Sequence, residues 1–211
     1  MHASVHCRPR DEQARLTPET SRRFCPASAK MSAPILRGGK PASHNDLIEG
    51  FRDLGGNLMF LAANNFYWQV VKRRGVMTKT KRWRDLGRPE AALIGVQYLA
   101  NGKVPRQPWI IRRSRAGSWI FAGTGLREGS RLGLGGVEID KTSRASPRGV
   151  EVLAEIPNLF GPGLTAQMTY YETQKRARVF AAGALYFTRL VHVDPVTSRI
   201  LENLWARLAS E

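Results

Sequence analysis

The chain has 211 residues, 42% of them apolar, enough for one well-buried domain. Its 33 Lys and Arg outnumber 17 Asp and Glu, giving a formal net charge of +16 that asks for an acidic partner or a solvated basic surface. The longest apolar runs, 58–63 and 179–187, fall short of the roughly 18 to 20 residues of a membrane span; Cys7 and Cys25 both lie near the N-terminus, which argues against a disulfide scaffold.

Residues 1–41 are rich in Arg, Ser and Pro, with neither a helical nor a strand period and no apolar signal-peptide core. They read as an unstructured tail ahead of a domain over 42–211, and the location expected is cytoplasmic. His2, His6, Cys7 and Cys25 match no standard zinc spacing. Order is expected to begin at Ser43, where Ser43-His44-Asn45-Asp46 has the form of a capping box. Leu47, Ile48, Phe51 and Leu54 then recur at helical spacing, and Gly55 supplies a left-handed stop. Residues 57–63 are almost continuously apolar, as in a strand buried on both faces of a parallel or mixed sheet. The polar turn that follows carries Asn64, Asn65, Phe66, Tyr67 and Trp68, and a strand opening into such a turn is where open α/β sheets place ligands.

Further strands are expected at 68–71, 93–99, 119–122 and 150–156, and the six glycines of 123–136 read as a loop. That loop lacks the Lys-Ser/Thr of a phosphate cradle. Segments 168–173 and 178–185 flank a turn at 174–177 and read as a hairpin. Asp194-Pro195 caps a closing helix whose expected buried stripe is Ile200, Leu201, Leu204, Trp205 and Leu208. The fold expected is α/β: a partial three-layer sandwich of the class I glutamine amidotransferase-like type, strand-rich in its second half and truncated at its N-terminus. Such folds use a Cys nucleophile on a sharp turn, and the folded part has no Cys.

Between Lys72 and Arg115 thirteen Lys or Arg face only Asp85 and Glu90. Interleaved Trp83, Tyr98 and Trp109 could stack on bases in a nucleic-acid reading. No helix-turn-helix, finger or RNA-binding spacing accompanies the charge, so a surface facing an acidic partner subunit is the favoured reading.

Several segments, taken in order, resemble one family. Gly55-Gly56-Asn57-Leu58-Met59-Phe60 through Phe66-Tyr67-Trp68, Trp83-Arg84 with Gly87-Arg88-Pro89, Leu93-Ile94-Gly95-Val96, Trp119-Ile120-Phe121, Glu138-Ile139-Asp140-Lys141, Thr169-Tyr170-Tyr171-Glu172 and Ser198-Arg199-Ile200 are similar to the C-terminal domain of the large (beta) subunit of N,N-dimethylformamidase. The resemblance covers about 43–209. It implies metal-assisted hydrolysis of a small amide C–N bond, with iron held by tyrosine phenolates and a carboxylate, a ligand set suited to a hard ferric ion. It implies Tyr67 and Glu138 as metal ligands, with another subunit or a missing N-terminal portion as partner, and Asn64 in the turn is the candidate to orient the substrate carbonyl. Each residue has a second reading: Tyr67 as a packed rim aromatic, Glu138 as partner to an Arg, Asn64 as closure of the turn. The family's further phenolate comes from a segment before the first helix, and no tyrosine precedes Tyr67 here. The family glycine of the turn is replaced by Asn65, a residue that tolerates positive φ.

Overall fold

A computed structural model describes residues 43–209. The tail expected over 1–41 lies outside the described residues. The first helix, α1 (His44–Asp53), starts at the expected capping box: Ser43 Oγ accepts from Asp46 N–H, and the Asp46 carboxylate accepts from Ser43 N–H at 2.6 Å. Gly55 ends it at φ +99. Its expected apolar stripe is not the buried one, since Asn45 is the helix's buried residue and Phe51 and Leu54 are exposed.

Strand β1 (Leu58–Phe60) is shorter than 57–63 and lies at one end of an eight-stranded sheet. It pairs in parallel with β9 (Arg178–Ala181), the one parallel ladder among the described residues. Along it Met59 meets the larger core, while Leu58 and Phe60 meet a second cluster built on Leu93, Ile94, Val96 and Ala181. Successive side chains point to opposite faces. The sheet is therefore covered on both sides here, as expected, although these three residues are only half-buried.

After the turn the chain departs from its expected course. Residues β2 (Trp68–Arg73) and β3 (Val76–Arg82) form a separate two-stranded ribbon, closed by Arg74 at φ +48 and Gly75 at φ +82. Two consecutive left-handed residues give the turn whose twist suits a hairpin. The apolar residues 93–96 are not a strand: α2 (Ala91–Ile94) is one helical turn, and β4 (Gln97–Asn101) follows Gly95. Strand β5 (Gln107–Ile111) leads to α3 (Gly117–Ile120), a helical turn where a strand was expected at 119–122. Ser114 Oγ accepts from Gly117 N–H and starts that turn.

The glycine-rich segment is a loop only as far as residue 130. Its second part is β6 (Arg131–Lys141), the longest strand described. The glycines permit close approach rather than looping: a Cβ on Gly135 would lie 2.7 Å from Ile156 and 2.9 Å from the Trp109 indole nitrogen. With Gly133, Gly136 and Val137 at positive φ, β6 bends. One half pairs with β5, and the other pairs with β4 and with β10 (Ala184–Leu185). Strands β7 (Glu151–Ile156) and β8 (Ala166–Glu172) complete the sheet, in the order β1-β9-β8-β7-β5-β6-β10 with β4 beside β6.

The β8–β9 hairpin forms as expected, with its second strand ending at Ala181. Asp194 caps α4 (Pro195–Ala209) by accepting from Val196 and Thr197 N–H groups. Its buried stripe is Thr197, Ile200, Leu204 and Leu208; Trp205 is exposed. The fold is thus mixed α/β with a strand-rich sheet and few helices. Among the described residues no helix is long and apolar enough to cross a membrane.

Candidate functional site

Three sequence segments meet where β1 opens into its turn, and the backbone there is strained. Asn64 (φ +62) and Phe66 (φ +52) precede Tyr67, and Val137 (φ +70) precedes Glu138. A β-branched residue in the left-handed region is an outlier that its surroundings must enforce, and such outliers concentrate at functional sites. Asn65, the residue expected to take positive φ, does not; its side chain donates to Ala62 C=O at 2.7 Å.

Asn64 joins the segments. Its N–H is shared between the two carboxylate oxygens of Asp140 at 3.0 and 3.1 Å, and its side-chain amide donates to Glu138 Oε2 at 3.0 Å. Its own carbonyl oxygen, Asn64 Oδ1, is buried with no hydrogen-bond partner. Glu138 and Asp140 are two apart on β6 and so share a face. Tyr98 of β4 stands opposite Asp140 in the antiparallel register, on that same face. The Tyr67 ring packs on the Tyr98 ring with centroids 4.8 Å apart.

The structure therefore brings Asn64 directly to Glu138 and brings Tyr67 to the same cluster through Tyr98. The Glu138 partner is Asn64; among the described residues it forms no ion pair with an arginine. Sequence reasoning counted Tyr98 only among the aromatics of the basic stretch and passed over Asp140. The signal for both was the alternation of a strand beginning at Gln97 paired with one holding Glu138-Ile139-Asp140, which was hidden while 93–99 read as the strand and 123–136 as loop.

Arg84 closes one side. Its guanidinium lies 5.0 Å from the Tyr67 ring centroid and hydrogen-bonds Tyr98 C=O, and it pairs with Glu90, whose side chain is wholly buried. The Arg82 guanidinium has its pKa raised by Asp85 and then by the Tyr67 phenol. Burial raises the Tyr98 phenol, and the charges of Glu138, Tyr67 and Asp140 push it further in the same direction. Burial likewise pushes the Asp140 carboxyl up to about 7, against the Asn64 N–H and with help from Glu90 and Glu138.

That shift makes stability depend on pH. Between the ordinary carboxyl value of 3.8 and about 7, folded Asp140 keeps a proton that the unfolded chain has lost. Stability therefore falls as pH rises through this window and levels off above it, by a few kcal/mol in all. Asp140→Asn is expected to flatten that slope in urea titrations run with a chelator at several pH values. An unchanged slope would assign the effect elsewhere.

Among the described residues no group of three or more His, Cys, Asp and Glu is placed to hold a metal ion. Residues 42–193 match the family described as N,N-dimethylformamidase beta subunit-like, C-terminal. No curated protein matches the chain.

Proposed function

This chain belongs to the N,N-dimethylformamidase beta subunit-like C-terminal family, and from that premise we propose that it is a hydrolase domain for a small amide C–N bond, with its site at the Asn64–Tyr67–Glu138 corner. The observation that carries this reading is the unpartnered Asn64 Oδ1, buried beside two carboxylates. A buried acceptor without a donor costs about 1–3 kcal/mol, and a bound cation would satisfy it.

The donor chemistry fits the ferric ion that the family implies. Tyr67 and Glu138 offer hard anionic oxygens, and one Glu138 oxygen is left outside the Asn64 hydrogen bond. When bound, the ion would polarise the amide carbonyl and lower the pKa of a water nucleophile. The chain's own groups do the rest. Asn64 fixes Glu138 and Asp140 in one orientation and would present its carbonyl oxygen to the ion. Asp140, with a carboxyl raised to about 7, holds a proton near neutral pH and can return it to a leaving amine. The positive φ of Phe66 and of Val137, each just before Tyr67 or Glu138, is backbone strain of the kind that concentrates at functional sites. We infer further that the parallel β1–β9 edge belongs to an amidotransferase-like sandwich.

The purified chain, loaded with iron, is expected to release dimethylamine from N,N-dimethylformamide, and Glu138→Gln to lower the rate at least about 100-fold. Retention of full activity by Glu138→Gln would overturn the assignment.

A second reading concerns partners. The β2–β3 ribbon stands apart from the main sheet, holds six Lys or Arg and no acid, and exposes Val76 and Met77. Many cations of the basic stretch are instead used within the fold: Arg84 on Glu90, Arg88 on Asp46 and Glu49, Arg112 on Glu155. We infer that the ribbon faces an acidic partner subunit. Steeply salt-dependent binding to DNA or RNA would favour a nucleic acid there instead.

A further inference from the structure

The geometry points to Tyr98 as a metal ligand in its own right, supplying the second phenolate that the N-terminal part of this chain lacks; this rests on the proposed iron site. Three observations converge on it. The register of β4 on β6 sets Tyr98 opposite Asp140, on the face that also carries Glu138. Its ring packs against that of Tyr67, centroids 4.8 Å apart at an interplanar angle of 42°. And the backbone of Tyr98 is pinned: its carbonyl accepts from Arg84 at 2.9 Å, while Arg84 is fixed in turn by buried Glu90.

A further point separates half-buried Tyr98 from the buried tyrosines. Tyr170 donates to Glu172 at 2.5 Å and Tyr171 donates to Leu93 C=O at 2.5 Å, so both hydroxyls are committed to structure. The half-buried Tyr98 makes no side-chain hydrogen bond with the described residues, so its hydroxyl is not committed to structure in this way. With Tyr67 and Glu138 it makes a three-oxygen set, which meets the requirement that two ligands could not. Binding releases the phenol proton to solvent as the iron–oxygen bond forms, with no change of oxidation state.

The test is the visible charge-transfer band that phenolates give on ferric iron, recorded on the full chain titrated with iron(III) alone. Wild type is expected to show the band, Tyr98→Phe to lose about half of it with at least tenfold weaker iron affinity, and the Tyr67→Phe, Tyr98→Phe double variant to lose it entirely. A Tyr98→Phe spectrum equal to wild type overturns the role of Tyr98 while leaving the iron site standing. No band in wild type overturns both. Should Tyr98→Phe fail to fold by circular dichroism, Tyr67→Phe alone decides: a residual band requires a second phenolate, and its complete loss contradicts the inference.

Discussion

Gly183→Ala is expected to be the most damaging single change in the chain, costing of order 4 kcal/mol and leaving little folded protein. Gly183 links β9 to β10 at φ +67, and an added Cβ would lie 1.9 Å from the Gln167 carbonyl oxygen and 2.8 Å from its carbon. Both atoms are backbone of the central strand β8, so no side chain can rotate aside. The residue's own carbonyl accepts from Asp140 N–H at 2.8 Å, and any shift would pass directly to the acidic corner. Gly75→Ala provides the comparison, because Gly75 also has a left-handed φ, +82, and nothing lies within 4 Å of its missing Cβ. It should cost only the conformational penalty of roughly 1–2 kcal/mol. Urea denaturation of both variants checks the contrast, and equal costs would show that crowding against Gln167 is not the reason for glycine.

The second large effect is expected from Arg84→Ala, at about 3–5 kcal/mol. Glu90 has no exposed side-chain surface, and Arg84 contacts both its oxygens, at 2.5 and 3.1 Å. Truncation strands a buried carboxylate and also removes the donor to Tyr98 C=O. Replacing the pair by apolar residues of similar size, Arg84→Met with Glu90→Leu, should recover most of the loss, since breaking a buried ion pair is worse than deleting it. Thermal melts of the single and double variants test this. If the double variant is as unstable as the single, Arg84 acts through packing rather than charge.

What the sequence made legible follows from how local each signal was. The capping box at Ser43, the Asp194-Pro195 cap and the β8–β9 hairpin rest on neighbouring residues, and all three form. The family was equally readable, because its segments recur in order. Features set by distant contacts were not. Leu93 and Ile94 look like a strand, yet Gly95 ends a helical turn there, and Tyr171 donates to Leu93 C=O from across the sheet. Gly133, Gly135 and Gly136 look like a loop because nothing nearby in sequence reveals that Trp109 and Ile156 press against the strand. The ribbon was missed for a related reason: Arg74-Gly75 is an uncommon hairpin turn, and β3 alternates cations with Thr rather than with apolar residues.

At the corner, Glu138 could be named from the family pattern and Asn64 from the polar turn, and the structure joins them by a hydrogen bond. Asp140 and Tyr98 required the pairing of β4 with β6, a fact of topology. The absence of a tyrosine before Tyr67 suggested an incomplete ligand set. The packed Tyr67 and Tyr98 rings are the local remedy proposed for that deficit.

The most direct measurement is anomalous diffraction at the iron absorption edge from crystals of the full chain grown with ferric iron. A single peak bounded by the Tyr67, Tyr98 and Glu138 oxygens, near Asn64 Oδ1, is the result predicted. A peak elsewhere on the chain, or none, would contradict the placing of a hydrolytic centre at this corner.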